Sequence, residues 1–347
     1  MIDVLPRPNA VAGRLINYFR IMKKLIWFAS IFSLVLTTSC KPSSGKNQSQ
    51  NAPIAAGDTL KGEISFSGAF ALYPMVVKWA DEFRKLHPNV RIDISGGGAG
   101  KGMTDALAKV VDLGMVSREI YEVEVQKGAL GFAVVKDAVV ATINVANPHF
   151  DEICKKGLTK ATAAALWDNQ YATYGDLLGI ESTIPIHVYT RSDACGAAET
   201  WAIWFGKRQE QLQGTAVYGD PGVSAAVQKD RVGIGYNNIA YAYDMRSHKP
   251  YEGLAVIPLD VNENGKIDED EKFYENSADL IKAIDEGRYP SPPARDLYLV
   301  SNGVPRNPAV VEFIKYALSE GQKYAIETGY IPLPQTTIDQ SLKKLNP

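Results

Sequence analysis

Beyond residue 60 the chain alternates short apolar runs with amphipathic ones, and the two periods separate cleanly. "GEISFSG" (62–68) is apolar at Ile64 and Phe66, every second position, as a half-buried strand requires. "LYPMVVKWADEFRKLHP" (72–88) sets Met75, Val76, Trp79, Ala80 and Phe83 on one helical stripe, and Pro88 stops it. "VRIDIS" (90–95) reads as strand, "GKGMTDALAKV" (100–110) as helix and "VDLGMVS" (111–117) as strand. "FAVVKDAVVATINVANP" (132–148) reads as one or two buried strands. This βαβα order predicts an α/β fold with a substantially parallel sheet. A second alternation follows: "TKATAAALWDN" (159–169) helix, "PIHVYT" (185–190) strand, 197–208 helix, "SAAVQKD" (224–230) short helix and "VGIGYNN" (232–238) strand. "RDLYLVSN" (295–302) is another strand, and 308–329 gives one or two helices. Two α/β lobes result, lobe I from 61–143 plus 297–347 and lobe II from 144–296. "VVATINV" (139–145) crosses out, "RDLYLVS" crosses back, and a ligand would sit in the crevice between them.

The N-terminus changes the picture. From Met22, "MKKLIWFASIFSLVLTTSC" has two lysines, an apolar run from Leu25 to Leu36 and small residues ending at Cys40. That is the anatomy of a secretory signal, with an apolar run too short to span a membrane. With "KPSSGKNQSQNAP" after it, the segment resembles a bacterial lipoprotein signal, in which Cys40 is acylated and becomes the first residue; Thr37 departs from that pattern. Residues 1–21 then read as an extension or a mis-assigned start, 22–40 as signal and 41–60 as a flexible tether. The expected location is the bacterial cell envelope, lipid-anchored, facing the periplasm or the exterior.

Composition excludes more than it selects. The chain has 347 residues, 46% hydrophobic, enough for one large or two medium domains. A formal charge of −2 gives no electrostatic case for a nucleic-acid partner. After Cys40 only Cys154 and Cys195 remain, and an oxidising envelope leaves both a disulfide and two free thiols open.

Three strand-to-helix turns share one chemistry: "SFSGAFALYP" (65–74), "SGGGAGKG" (95–102) and "RSDACGAAE" (191–199). Each puts small residues where unpaired N–H groups and the positive end of a helix dipole would face an anion. The spacing around Lys101 is not a Walker loop, and the dinucleotide fingerprint is weak. Cys195 opens a helix, where a lowered thiol pKa is expected. A nucleophile also needs a base, and none of His87, His149, His187 and His248 lies in a cysteine-enzyme motif. Binding, not catalysis, is the expectation. Trp201, Trp204 and Phe205 read as core, and Tyr236, Tyr241 and Tyr243 as packing between lobes, with Asn237 and Asn238 within reach of the cleft.

In order, "GAFALYPMVVKWADEF", "PNVRIDISGGGAGKG", "VDLGMVSREI", "KDAVVATINVANP", "TRSDACGAAETW" and "VGIGYNNIAYAY" resemble the phosphate-transporter substrate-binding (PstS-like) family from Lys61 to the C-terminus. The resemblance implies a type II periplasmic-binding-protein fold of two lobes joined by crossover strands, closing over an oxyanion and delivering it to an ABC permease. It implies ligand-binding positions at Ala69, Phe70, Ala71, Ala99, Gly100, Ser117, Arg118, Arg191, Asp193, Cys195, Gly196 and Ala197. The family's hydroxyls are missing: Ala69, Phe70 and Ala71 replace Ser or Thr, Ala99 replaces serine, and Cys195-Gly196-Ala197 replaces Ser-Gly-Thr. Each acceptor of a desolvated phosphate left unpaired costs about 1–3 kcal/mol. Arg118 and Arg191 can each hold an oxyanion bidentately. Asp193 and Glu199 either position Arg191, accept a proton from the ligand, or serve as first-turn helix charges. Phosphate is the expected default ligand, with no enzymatic activity and no organic cofactor expected, and a monomer as the default of the fold class. Sulfate, molybdate, tungstate or a small carboxylate is the runner-up, then a calcium-stabilised envelope scaffold or sensor.

One motif stands outside that resemblance. "DVNENGKIDEDE" (260–271) matches D-x-[DN]-x-[DN]-G-x5-E throughout. Asp260, Asn262, Asn264, the Lys266 carbonyl, Asp268 through water and Glu271 are candidate Ca²⁺ ligands, with Gly265 at the sharp turn. The preceding "YEGLAVIPL" reads as strand, so a full helix–loop–helix is not expected, and the ion would be structural.

Overall fold

The computed structural model describes residues 60–345. The signal segment, Cys40 and the tether as far as residue 59 lie outside the described residues. Strands are β1 (Gly62–Gly68), β2 (Val90–Gly96), β3 (Leu113–Val116), β4 (Ala129–Asn144), β5 (His187–Arg191), β6 (Thr215–Val217), β7 (Gly233–Asn238), β8 (Tyr243–Asp244), β9 (Lys249–Pro250), β10 (Leu254–Ile257) and β11 (Ala294–Asn302). The helices that build the cleft are α1 (Tyr73–Leu86), α2 (Gly98–Leu107), α3 (Gly196–Trp204) and α4 (Gly219–Lys229); α5 (Pro308–Ala317) backs lobe I.

α1 forms as its stripe requires, with Pro74 in the first turn and Met75, Val76, Trp79, Ala80 and Phe83 buried. α4 starts five residues before the predicted 224, because Pro221 is tolerated in a first turn that needs no N–H. After α5 the chain drops into 3₁₀ turns at Glu320–Tyr324 and Ile326–Thr328, where a second helix was the alternative.

Nine strands form one sheet in the order β2-β1-β3-β11-β4-β7-β5-β6, with β10 on β4. The expected parallel pairing holds inside each lobe, β1 with β2 and β3, β5 with β6 and β7. It fails in the middle. β4 and β11 are antiparallel to each other and to β7, β10 and β3. One strand carries the chain out and the other brings it home, so they must run in opposite directions.

β4 is a single strand of 16 residues, nearly all apolar, and it belongs to both cores. Val135 and Leu297 pack in lobe I, while Ala138 and Ala294 pack in lobe II. The changeover thus lies at residues 136–137 and 295–296, ahead of the boundary expected after 143. A register shift between Leu297 and Tyr298 adds one residue to β4 there, and such a bulge bends and twists the ribbon.

Asp137 and Arg295 face each other in register at this changeover, both buried, with Nη1 and Oδ2 3.4 Å apart. Arg295 also donates from Nε to the Ser117 carbonyl of lobe I at 3.2 Å and from Nη2 to Asn238 Oδ1 of lobe II. Burial pushes Asp137 up to about 7, although Arg295 pulls the other way. Between about pH 4 and pH 7 the unfolded chain has released this proton and the folded chain keeps it, so this group makes stability fall as pH rises through that window. Asp137→Asn is therefore expected to lose less melting temperature than the parent between about pH 5 and pH 8. Equal losses in both proteins would show that Asp137 is not the source.

Candidate ligand cleft between the lobes

β5 ends on Arg191, whose side chain is 1% exposed. Its backbone N–H donates to the Tyr236 hydroxyl at 3.2 Å, itself bonded to Thr190 Oγ1 at 2.8 Å, so β7 fixes the strand end. Nε and Nη2 donate to the two oxygens of Asp193 at 2.8 and 2.6 Å, and Nη1 donates to Asp220 at 2.5 Å. Three of its five N–H bonds are thus committed to carboxylates, leaving one on each terminal nitrogen. Burial opposes the guanidinium's charge, but Asp220 and Asp193 outweigh it and hold Arg191 protonated. Burial likewise works against the Asp193 carboxylate, and its bonds to Arg191 overcome that and lower its pKa.

Asp220 lies in the first turn of α4, where the helix dipole favours a carboxylate. Its other oxygen accepts from Asn238 N at 3.1 Å and Asn238 Nδ2 at 2.8 Å. Since Asn238 Oδ1 accepts from Arg295, a buried polar run leads from Arg191 through Asp220, Asn238 and Arg295 to Asp137. It joins the cleft to the crossing strands.

Two helix starts from opposite lobes meet beside Arg191. Gly100 N, in the first turn of α2, donates to the Ala194 carbonyl at 3.1 Å. Gly98, at φ +80°, backs onto that carbonyl and the Asp193 carboxylate, so a side chain there would strike both. Gly196 meets Ser117 so closely that an added Cβ would lie 2.1 Å from the Ser117 oxygen. First-turn N–H groups have no partner within their own helix. Cys195 N goes to Gln209 Oε1 at 2.9 Å and Ala198 N to Cys195 Sγ at 3.4 Å. The N–H groups of Gly98, Ala99, Gly196 and Ala197 remain for a ligand.

Phe70 sits where the two lobes meet. Its ring lies between Gly96 of lobe I and Gly219 of lobe II, edge-on to Tyr218 with centroids 5.8 Å apart, and 5.8 Å from the Arg191 guanidinium carbon. Tyr241 donates to the Phe70 carbonyl at 3.0 Å across the lobes, and Tyr330 donates to the Ala71 carbonyl at 2.7 Å.

The structure brings Phe70, Gly100, Ser117, Asp193 and Gly196 to this meeting of lobes beside Arg191, while Ala69, Ala71 and Ala99 pack in the core of lobe I and Cys195 and Ala197 in that of lobe II. Arg118 is placed otherwise: it grips Glu124 bidentately at 3.0 and 2.7 Å and stacks 4.2 Å over Tyr121. Glu199 is also turned away from Arg191, accepting from the Tyr121 hydroxyl and from Gln209 N, each at 3.1 Å. Both border a side cavity of about 350 Å³ that also reaches Arg295. Lys101 pairs with Asp105 on its own helix. Trp201 and Trp204 are core, as read. Asp220, Arg295 and Asp137 went unread in the sequence, though each was marked: an acid before Pro221 at a helix start, and the charged pairs Lys136-Asp137 and Arg295-Asp296 inside apolar strand runs.

The 260–271 loop folds on itself. Asp260 accepts from Asn264 N at 3.1 Å and Gly265 N at 2.7 Å, and Glu271 accepts from Val261 N at 2.8 Å and Asp268 N at 3.1 Å. The Asp268 carboxylate takes Asn262 Nδ2, Asn264 Nδ2 and Lys266 Nζ. Among the described residues no group of three or more His, Cys, Asp or Glu side chains is gathered as a metal site.

A cleft closed by two helix starts over a buried arginine, between lobes joined by two crossing strands, defines a class of binding protein. The chain belongs to the PBP superfamily, whose domain model matches residues 53–321. It is similar to the phosphate-binding protein PstS of Xylella fastidiosa, 25% identical over 342 residues and covering 88% of this chain and 93% of that one. It is similar also to PstS of Pseudomonas aeruginosa, 26% identical over 313 residues, 82% and 88% covered. Among solved structures, a putative phosphate ABC transporter substrate-binding protein from Clostridium perfringens, with bound phosphate, superposes with TM-score 0.64 at 20% identity, covering 79% of this chain and all of that one. A phosphate transport receptor from Vibrio cholerae gives 0.57 at 19%, covering 78% and 100%. The PstS-like resemblance and the two-lobed fold are thereby borne out.

The thiols correct one expectation. Cys154 and Cys195 are both free. Burial pushes the Cys195 thiol up to about 12 despite Arg191 and the helix start, the reverse of the lowering expected, and Cys154 is raised to about 12 as well. At neutral pH neither presents a thiolate. Iodoacetamide at about pH 8 should leave both unmodified in the native protein and alkylate both in denaturant, read by peptide mass; rapid native modification of Cys195 would contradict this placement.

Proposed function

We propose that the chain is an extracytoplasmic solute-binding lipoprotein that captures an inorganic oxyanion, with phosphate as the first candidate, for an ABC importer. The observation that carries this reading is Arg191: a buried cation, still holding two free N–H bonds, at the point where helix starts of opposite lobes bring uncommitted backbone N–H groups together. The names of the relatives supply phosphate and the transport system. Cys40 would carry the lipid anchor, an ABC permease would be the partner, and a monomer that shuttles ligand needs no catalytic group. Another oxyanion is favoured by one specific observation: the alanines at 69, 71, 99 and 197 offer a ligand no hydroxyl.

Calcium is proposed as a structural ion at 260–271. Asp260 and Glu271 would supply carboxylates from its two ends, Asn262, Asn264 and the Lys266 carbonyl the neutral oxygens, and Asp268 a ligand through water. Added Ca²⁺ should raise the melting temperature by several degrees over EGTA, since saturation at a hundred times Kd contributes about 2.7 kcal/mol. Asp260→Ala should abolish that difference, and an EGTA-insensitive melt in the parent would remove the ion from the account.

For the cleft, isothermal titration of ligand-stripped protein with phosphate, sulfate, molybdate and small carboxylates is decisive. A response to one oxyanion at micromolar affinity or tighter is expected, weakened about 100-fold or more in Arg191→Ala, in line with truncating a buried charged hydrogen-bond partner. Arg191→Lys keeps the charge while losing the fork, and should fall between. Silence toward every anion would favour a scaffold or sensor role.

A further inference from the structure

We infer that lobe II holds a second ligand site, outside the cleft, for an amphipathic monoanion of the medium-chain carboxylate class. The site is a cavity of about 510 Å³ between the helix Phe150–Lys156, strand β10 and residues 266–275. That volume suits a small organic ligand. Its lining shares no residue with the Arg191 centre, so it stands apart from the oxyanion reading. Its walls are held by specific bonds. β10 pairs with β4, Val256 opposite Thr142. Ile267 N donates to the Lys155 carbonyl at 2.9 Å, which ties the 260–271 loop to the helix end. Gly157, at φ +73°, turns the chain there, and an added Cβ would lie 2.4 Å from the Ile267 side chain. The Tyr274 hydroxyl accepts from Leu259 N at 3.2 Å, and its carbonyl accepts from the Tyr243 hydroxyl at 2.7 Å.

Phe150, Ala255, Val256, Pro258, Ile267 and Tyr274 give the cavity apolar walls, and Val256 and Tyr274 belong to the lobe II core. A hydrocarbon body leaves water there without stranding a polar group. The charges that border it are mostly of one sign. Lys155, Lys266 and Lys272, all exposed, meet it from three places in the chain, against one acid, Glu275. Lys266 reaches Asp268 at 2.8 Å and Lys272 reaches Glu269 at 2.5 Å, but neither carboxylate lines the cavity. Both lysines are more than half exposed, so each pair is weak and each ammonium keeps N–H bonds for another acceptor. The Lys155 ammonium has no partner among the described residues, whereas that of Lys156 donates to the Leu177 and Leu178 carbonyls. Apolar walls beside an excess of positive charge select an amphiphile with an anionic head. A neutral amphiphile leaves the lysines unused, and a small inorganic anion leaves the apolar walls in water. The head can stay hydrated beside ammoniums carried on flexible stems.

The test is calorimetry on the full chain with sodium octanoate below its micelle threshold, in EGTA so that no ion competes for Asp268. Octanoate should bind, and from butyrate through hexanoate to octanoate the affinity should rise about fourfold per added CH₂. Octanamide, with the same tail and no charge, should bind about tenfold more weakly. Lys155→Glu combined with Lys272→Glu should weaken octanoate about tenfold or more and leave octanamide unchanged. Arg191→Ala should leave octanoate unchanged, which separates this site from a carboxylate bound in the cleft. No octanoate binding by folded parent at millimolar concentration would overturn the inference, as would an affinity indifferent to chain length. Binding lost in Arg191→Ala but kept in the lysine double variant would put the carboxylate in the cleft and overturn it too. Octanamide binding as tightly as octanoate would remove the anionic class. A parent that sediments as a dimer, and a lysine double variant that does not, would make the cavity an interface between copies and end the inference. None of these outcomes depends on whether the cleft binds phosphate.

Discussion

A guanidinium that is 1% exposed cannot remain charged without partners, and the placement of Arg191 governs much of lobe II. Asp193 must follow two residues later to grip Nε and Nη2, and α4 must begin where Asp220 can reach Nη1. Asn238 must then end β7 where it can hold the remaining Asp220 oxygen. Leaving any of these carboxylate oxygens or N–H groups unpaired at this depth would cost several kcal/mol, on the order of 3–5 for breaking a buried pair. The strand end, the turn after it and the helix beside it are therefore one electrostatic unit, and the geometry of the cleft depends on it.

That unit does not stop at the cleft. Arg295 on β11 touches Ser117 of lobe I, Asp137 at the changeover of β4, and Asn238 of lobe II. The two strands that connect the lobes thus carry charges in their middle, Asp137 against Arg295 and Lys136 against Asp296, close to where the bulge bends them. Apolar residues there would pack without directional demands. A charged pair fixes register and ties the bend to the residue that holds Asp220. A change in how the lobes sit must keep this run bonded or break a buried charge contact, which restricts the motions that leave the cleft intact.

The periodicity of the chain made the elements legible because burial in this fold follows simple patterns: one stripe on α1, alternation on β1, and apolar runs on either side of Lys136 and Asp137 on β4. Mixed strand direction was not legible, since a run of apolar residues reads alike parallel or antiparallel. In the cleft, the glycines at 98 and 196 and the arginine at 191 could be read because each is a residue type that few positions require. Arg118 could not be placed, because its partner Glu124 lies on a short helix with no apolar period to announce it. Nor could the thiol of Cys195 be judged from its helix start alone. The dipole and Arg191 pull its pKa down, but desolvation by Trp201, Tyr236 and their neighbours is larger, and only tertiary packing reveals that.

The same packing gives the hydroxyl losses their meaning. A site that exchanges Ser and Thr for Ala loses donors that double as acceptors, and nothing in a sequence says what balances the change. Here the compensating groups come from far along the chain: Phe70 fills space with an aromatic ring against Gly219, and Asp220 occupies an N–H of Arg191 that an anion would otherwise use. The centre keeps helix starts and a cation beside two carboxylates. Such a centre can still bond an anion through its backbone N–H groups and the two spare N–H bonds of Arg191, while Asp193 and Asp220 beside them can only accept.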